Sequence, residues 1–271
     1  MRKAGKGGRL RPKLAAAIEF SDISTGTVPV NPPYVDYLAH LGGQWEMLGN
    51  DVASDCVAVT WSNYRRLVTA TLGPVAVYPP IAQVWQFYRT QNPDFDPNGT
   101  AVTNGPGSEA DGGMDIQTGL EELHANGGPD GVKAVAFASV NLRNVSEVKT
   151  AIGACGALWT GINVYSNNET EFSNEQPFDY VAGAQSLGGH SVLTGGYGNI
   201  AVDTEQLGGD EKFITWAEET SFTDRYWTAD VEEGWVVIWP EQLGTRSFEQ
   251  GIDQAKLVAA YKQATGRRLV L

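Results

Sequence analysis

The sequence lacks long apolar runs and has few cysteines and histidines, and each shortage excludes a class of protein. No stretch approaches the roughly 20 apolar residues that a membrane-spanning helix needs, so we expect no transmembrane segment. The basic start is not followed by an apolar stretch of signal-peptide length, so we expect no signal peptide and a cytoplasmic or virion-associated protein. Two cysteines and three scattered histidines predict neither a disulfide scaffold nor a metal site, and no cofactor is expected.

Basic residues are also scarce, except at the start of the sequence. The 271 residues include 19 Lys+Arg and 32 Asp+Glu, a formal net charge of −13, yet residues 1–13 hold six basic side chains and no acidic one. The acidic remainder would repel a phosphate backbone, so no nucleic-acid groove is expected there. The basic segment could contact nucleic acid, an acidic partner protein or the acidic body of its own chain.

The order of the predicted elements indicates an α+β protein with two lobes. Hydrophobic periodicity predicts helices at residues 34–41, 56–72, 80–91, 114–127, 145–153, 222–231 and 248–264, and strands at 132–140, 157–165, 190–198, 212–217 and 235–240. Residues 166–188 are predicted to be a polar loop. We therefore divide the chain into three parts: a flexible basic arm (1–18), a domain (19–245) whose helical lobe spans about 40–130 and whose β lobe spans about 131–245, and a C-terminal helix and tail (246–271).

Cys56 has the setting of a reactive thiol. It opens a predicted helix, where the unpaired N–H groups and the helix dipole favour a thiolate, and Ser54 or Asp55 is expected to cap that helix. A polar loop precedes it and can bring the amide of Asn50 near the sulfur. Cys155, between an apolar helix and an apolar strand, is instead predicted to be a buried, inert thiol.

His190 is the histidine best placed to act on Cys56. It follows two glycines at the start of a predicted strand, where the backbone can approach a neighbour closely. It lies 134 residues after Cys56, within the roughly 130–150 residues that separate nucleophile and base in papain-like enzymes.

Three segments resemble the papain-like cysteine peptidase superfamily, and within it uncharacterised proteins of actinobacteria and their phages. The segments are WEMLGNDVASDC (45–56), GHSVLTGGYG (189–198) and FITWA (213–217). The resemblance implies a papain-like two-lobe fold, with a helical lobe that carries the Cys56 helix and a lobe formed by an antiparallel β-sheet or barrel. It also implies Cys56 as nucleophile, His190 as general base and Asn50 as oxyanion donor.

The sequence departs from that family at the residue that orients the histidine. Papain-like enzymes place an asparagine two residues before the tryptophan that shields the histidine, and here Ile214 stands two residues before Trp216. Isoleucine cannot hydrogen-bond an imidazole, so either Thr215, Asp203 or Gln206 orients His190 or no residue does. The charge of Asp55, next to Cys56, is expected to oppose the thiolate.

Two function classes follow from these patterns. The first is a thiol hydrolase, a peptidase or amidase that cleaves a peptide-like substrate in the cleft between the lobes, or transfers its acyl group to an amine. The second is a catalytically weak or inactive papain-like protein that serves as a virion or other structural component. In that case the basic arm would bind acidic partners, including phage structural proteins.

Overall fold

A computed structural model describes residues 2, 4–10, 18–26, 34–198 and 209–271. Within these ranges the helices are α1 (Phe20–Ile23), α2 (Cys56–Leu72), α3 (Ile81–Tyr88), α4 (Ile116–Ala125), α5 (Val145–Cys155), α6 (Ser166–Ser173), α7 (Asp224–Asp230), α8 (Arg246–Gly251) and α9 (Gln254–Thr265). The strands are β1 (Val35–Asp36), β2 (Ala136–Ser139), β3 (Leu158–Tyr165), β4 (Ser186–Tyr197), β5 (Gly209–Thr215), β6 (Glu218–Thr223) and β7 (Val231–Ile238). Two short 3-10 helices span Leu38–Leu41 and Pro240–Gln242.

The strands form one antiparallel sheet in the order β2-β7-β3-β4-β5-β6, with β1 paired to β4. Side chains alternate across this sheet, so each central strand contributes to two apolar cores. Leu158, Val192, Phe213 and Val236 enter one core, which includes side chains of α5, α8 and α9. Their neighbours Trp159, Leu193, Ile214 and Val237 enter the other, with side chains of α2, α3 and α4. The α+β prediction is confirmed, and the sheet separates the two cores.

Helix α2 has the bounds that the sequence predicts, residues 56–72, and it packs against β4. Polar side chains fix its first turn to the sheet. The Thr60 hydroxyl donates to the Cys56 carbonyl oxygen (2.9 Å), and the Ser191 hydroxyl donates to Thr60 Oγ1 (3.0 Å). Trp159 Nε1 in turn donates to Ser191 Oγ (2.8 Å). All these groups are buried, so the hydrogen bonds hold the start of α2 in register with β4.

Four predicted elements differ from the structure. Residues 34–41, predicted to be a helix, form β1 and a 3-10 helix, and the predicted loop 166–188 contains α6 and the start of β4. The predicted helix 222–231 begins only after β6, a strand that the sequence did not indicate. The predicted tail helix is divided into α8 and α9, because the Asp253 side chain accepts from the N–H groups of Ala255 and Lys256 and caps a new helix there. No helix within the described ranges is both long and apolar enough to cross a bilayer.

Candidate active site

The loop before α2 holds Asn50 in a fixed position. Leu48 and Gly49 both have positive φ (51° and 103°), and a Cβ at residue 49 would lie only 2.7 Å from Asp55 Oδ2. A glycine is therefore required there. Asn50 is 2% exposed, and its Nδ2 donates to the Lys6 carbonyl oxygen (2.8 Å) and to Asp55 Oδ1 (3.3 Å). The Asn50 amide thus already binds a peptide carbonyl.

Cys56 is the first residue of α2 and is 1% exposed. Burial raises the pKa of its thiol from 9.0 to about 12, although the backbone of Ser191 and of Gly8 and the charge of Arg9 act in the opposite direction. The hydrogen bonds from Ser191 to Thr60 and from Thr60 to the Cys56 carbonyl oxygen join the start of α2 to β4, the strand that carries His190. Cys155 is also buried, as predicted, and burial raises its pKa to about 12.

Asp55 occupies the N-cap position of α2, but its side chain makes no capping hydrogen bond. It faces the Asn50 amide instead. Burial raises the pKa of Asp55 well above its ordinary value, and the nearby carboxyl group of Asp111 adds to the shift. The Asp55 carboxyl in turn raises the pKa of the Cys56 thiol, in the direction that the sequence predicts.

His190 lies in β4 and is 1% exposed. Its Nε2 is 2.7 Å from Thr215 Oγ1, whereas Nδ1 has no hydrogen-bond partner among the described residues. Burial lowers the pKa of His190 from 6.5 to about 3, and the positive charge of Arg9 lowers it further. The imidazole is therefore neutral, and a tautomer with the proton on Nε2 donates to Thr215 and leaves Nδ1 as an acceptor.

Trp216 covers the imidazole from the turn between β5 and β6. Its ring centroid is 5.0 Å from that of His190 at an interplanar angle of 32°, and its other contacts include an edge-to-face contact with Phe172 of α6. Trp216 and Ala217 both have positive φ (46° and 65°), as the two central residues of a type I′ hairpin turn require. Ile214 points away into the core shared with α2. Asp203 and Gln206, the other candidates for orienting His190, lie outside the described residues.

Part of the basic arm lies across this site. Lys6 N–H donates to Asn50 O (2.6 Å), Arg9 N–H to Gly189 O (3.1 Å) and Leu10 N–H to Met114 O (2.8 Å), while Met114 N–H donates to Gly8 O (2.7 Å). The arm fits closely, since a Cβ at residue 8 would lie 1.9 Å from Ser54 O and one at residue 7 would lie 2.7 Å from Gly189 O. Of the three partners considered for the basic segment, the structure places residues 4–10 against the acidic body of the same chain.

No pattern in the sequence indicates that Arg9, Glu232 and Glu233 meet. The Arg9 side chain is 1% exposed and pairs with Glu232 (Nη2–Oε2, 2.6 Å) and Glu233 (Nη1–Oε1, 2.9 Å). The sequence shows an arginine after two glycines and a pair of glutamates at the start of a predicted strand region, but neither pattern indicates that the other is its partner. Within the described part of the chain, no group of three or more His, Cys, Asp or Glu side chains could hold a metal ion.

Two solved structures of cysteine proteases have this fold. Xylellain, a cysteine protease from Xylella fastidiosa, superposes with a TM-score of 0.59 at 15% identity, over 88% of this chain and 97% of its own. ProCathepsin B S9 from Trypanosoma congolense superposes with a TM-score of 0.58 at 11% identity, over 89% of this chain and 87% of its own. No protein-family model and no curated protein sequence matches the chain. The predicted papain-like fold is confirmed, whereas the resemblance to actinobacterial and phage proteins stays a prediction.

Proposed function

We propose that this chain, which has the fold of papain-like cysteine proteases, is a thiol hydrolase, a peptidase or amidase, with Cys56 as its nucleophile and His190 as its general base. The observation that carries the proposal is the environment of His190. Its Nε2 contacts Thr215 Oγ1 at 2.7 Å, its ring is covered by Trp216, and its Nδ1 is left without a partner among the described residues. An imidazole held in this way has one nitrogen that can accept a proton.

The reaction would begin with transfer of the Cys56 thiol proton to His190 Nδ1. The thiolate then attacks the carbonyl carbon of the substrate, and the C=O π electrons move onto oxygen to give a tetrahedral oxyanion. When that intermediate collapses, the C–N bond breaks and the imidazolium returns its proton to the leaving amine. Water then attacks the thioester, with His190 accepting a proton from the water and returning it to the thiol. An amine in place of water would give acyl transfer.

Asn50 supplies the oxyanion donor in this proposal. Its Nδ2 already donates to a peptide carbonyl oxygen, that of Lys6, at 2.8 Å. That distance is the one expected of a donor that binds the oxyanion of a substrate peptide. The Asp55 carboxyl, 3.3 Å from the same nitrogen, helps to hold the amide in place.

Residues 4–10 of the arm lie over Cys56 and His190, and we call this arrangement the covered state. With the arm in place, burial raises the pKa of Cys56 to about 12 and lowers that of His190 to about 3, so both groups are neutral near pH 7. The Lys6 carbonyl oxygen occupies the Asn50 amide, and the backbone of Gly8 is close enough to Cys56 to influence the pKa of its thiol. Activity therefore requires residues 4–10 to leave the groove.

The second candidate is a binding or structural protein that uses the same fold without catalysis. The burial of both reactive groups under the arm favours it, because a permanently covered thiol cannot meet a substrate. Phage structural proteins and other acidic partners belong to this alternative. Replacement of Cys56 distinguishes the two candidates, because it would abolish hydrolysis by an enzyme but leave a non-catalytic function unchanged.

Hydrolysis of a quenched-fluorescent peptide library tests the proposal. We would compare the full chain, its Cys56→Ser variant and its Cys155→Ser variant, each also carrying Gly8→Ala to displace the arm. Hydrolysis that survives Cys155→Ser and disappears with Cys56→Ser is expected. Equal hydrolysis in the Cys56→Ser protein would overturn the assignment of the nucleophile, and no hydrolysis in any variant would favour the structural protein.

A further inference from the structure

The guanidinium of Arg9 is buried in an acidic pocket beside the candidate active site. It makes ion pairs with Glu232 and Glu233, and Nη2 also donates to the Ile162 carbonyl oxygen (3.2 Å) and to Asn163 Oδ1 (3.4 Å). Ile162 of β3 is the cross-strand partner of His190 in β4. The pocket is therefore one strand away from the imidazole.

Gly161 and Gly189 leave the space that Arg9 occupies. A Cβ at residue 161 would lie 2.7 Å from Arg9 Cδ and 2.6 Å from Glu233 Cγ, so a larger residue would fill the space that the arginine stem occupies. A Cβ at residue 189 would lie 2.4 Å from the Arg9 carbonyl oxygen and 3.3 Å from Arg9 Nε. The pocket therefore has room for a long side chain that enters it from the groove in which residues 4–10 lie.

The two carboxylates are held in position by further hydrogen bonds. Trp235 Nε1 donates to Glu233 Oε2 (2.8 Å), which leaves Oε1 directed at the guanidinium. Asn163 Nδ2 donates to Glu232 Oε1 (2.7 Å), which leaves Oε2 for the same ligand. The Glu233 side chain is only 6% exposed. Without a cation, two neighbouring carboxylates would repel each other in a site where one of them is almost completely removed from water.

The other hydrogen bonds that the described residues show between residues 6–10 and the groove use backbone atoms of the arm. They join the N–H groups of Lys6, Arg9 and Leu10 and the carbonyl groups of Lys6 and Gly8 to the body of the protein. Any extended peptide can offer such groups, whatever its side chains. Within residues 5–10, Arg9 has the one side chain that is buried, since Lys6 and Leu10 are exposed and the rest are glycines.

We infer that the pocket formed by Glu232, Glu233 and Asn163 is a specificity subsite that binds an arginine side chain of a peptide substrate. In the covered state Arg9 is its intramolecular occupant. This inference rests on the proposed function, because it assigns a substrate class, peptides with a basic residue, to that same groove.

Arginine fits this pocket better than lysine. Its planar fork reaches Glu233 through Nη1 and Glu232, Ile162 and Asn163 through Nη2, whereas a lysine ammonium has three donors at a single nitrogen. Citrulline has nearly the shape of arginine but no charge, so it would form no ion pair with either carboxylate. The expected order of affinity is arginine, then lysine, then citrulline.

Peptide binding to the full chain tests the inference separately from catalysis. The protein would carry Cys56→Ser, to prevent turnover, Gly8→Ala, to displace the arm, and Arg9→Ala, to empty the pocket. The probes are fluorescein-labelled Gly-Gly-Arg-Leu amide, which has the sequence of residues 7–10, and the same peptide with lysine or citrulline in place of arginine. Fluorescence anisotropy gives each dissociation constant, and circular dichroism checks that each variant is folded. If Arg9→Ala fails to fold, Arg9→Gln retains part of the aliphatic stem.

We expect the arginine peptide to bind about tenfold or more tightly than the citrulline peptide, as loss of charge-assisted hydrogen bonds predicts. Adding Glu233→Gln should remove most of this preference, and the matched Glu249→Gln change, at an exposed position of α8, should leave it unchanged. Equal affinity for the arginine and citrulline peptides, or no binding of the arginine peptide, would overturn the inference. Arginine-selective binding in a protein that shows no hydrolysis would instead refute the proposed function and leave the pocket established.

Discussion

Replacement of Gly8 by alanine should uncover Cys56 without altering any residue of the body. A Cβ at residue 8 would lie 1.9 Å from Ser54 O and 2.4 Å from Ser54 C, both backbone atoms. Since real Cβ contacts of this kind are well over 3 Å, the arm has to move by more than an ångström. Gly153→Ala is the matched control, because the space around a Cβ at residue 153 is open and the residue lies within α5.

The size of the effect follows from the hydrogen bonds that such a movement breaks. Those nearest to residue 8 along the chain are Met114 N–H to Gly8 O (2.7 Å) and Arg9 N–H to Gly189 O (3.1 Å). Each contributes about 0.5–1.5 kcal/mol net, so losing both destabilises the covered state by about 1–3 kcal/mol. Because about 1.4 kcal/mol corresponds to a factor of ten, the uncovered fraction should rise roughly 5- to 150-fold.

The rate of alkylation of Cys56 by iodoacetamide measures that fraction directly. When opening is fast compared with alkylation, the rate is proportional to the population of the open state. Peptide mass spectrometry reads Cys56 and Cys155 in the same sample, and Cys155, which is buried in the other core, is the internal standard. We expect faster alkylation of Cys56 alone, and only in Gly8→Ala. If Cys56 reacts no faster there than in the Gly153→Ala protein, the arm does not control access to the thiol.

Three further predictions concern the groups around Cys56. In the Gly8→Ala background, Thr215→Val should lower kcat about tenfold, because it removes the acceptor for His190 Nε2–H. Thr215→Ser keeps a hydroxyl group and should retain most of the kcat. Equal values of kcat for the two variants would contradict this role of Thr215. Asn50→Ala should lower kcat about 100-fold or more with little change in KM, and a change confined to KM would show that Asn50 does not stabilise the transition state. Because His190 has a pKa of about 3 when folded and 6.5 when exposed, its contribution to the free energy of unfolding is complete above pH 6.5 and is lost as the pH falls toward 3. Urea unfolding should therefore show a larger loss of stability over that range for the wild type than for His190→Gln, and parallel losses would refute the assignment.

The helix that carries Cys56 was predictable because its signals are local. An apolar pattern continues from residue 56 to residue 72 and ends before Gly73-Pro74, and tertiary packing agrees with it. The polar loop around Asn50 is visible in the sequence for the same reason, whereas the pairing of Cys56 with His190 stays a prediction from the spacing typical of papain-like enzymes. The raised pKa of Asp55 could not be predicted, because it depends on burial and on the distant carboxyl group of Asp111.

The hairpin that carries Trp216 could not be predicted from its own residues. Two-residue hairpin turns usually contain asparagine, aspartate or glycine, and here the central residues are Trp216 and Ala217. Contacts of the Trp216 ring with His190 and Phe172 provide packing that can offset the cost of the positive φ angles. Likewise, the course of residues 4–10 depends on pairing with Gly189 and Met114, which are more than 100 positions away.

The alternation of side chains across the sheet has a thermodynamic consequence. β3 sends Leu158 into one core and Trp159 into the other, and β4 does the same with Val192 and Leu193. Neither core can therefore be dismantled while these two strands remain paired in a native sheet. The core that includes α2 and the core that includes α5 should therefore unfold together. Calorimetry should show a single transition whose measured enthalpy equals its van't Hoff enthalpy.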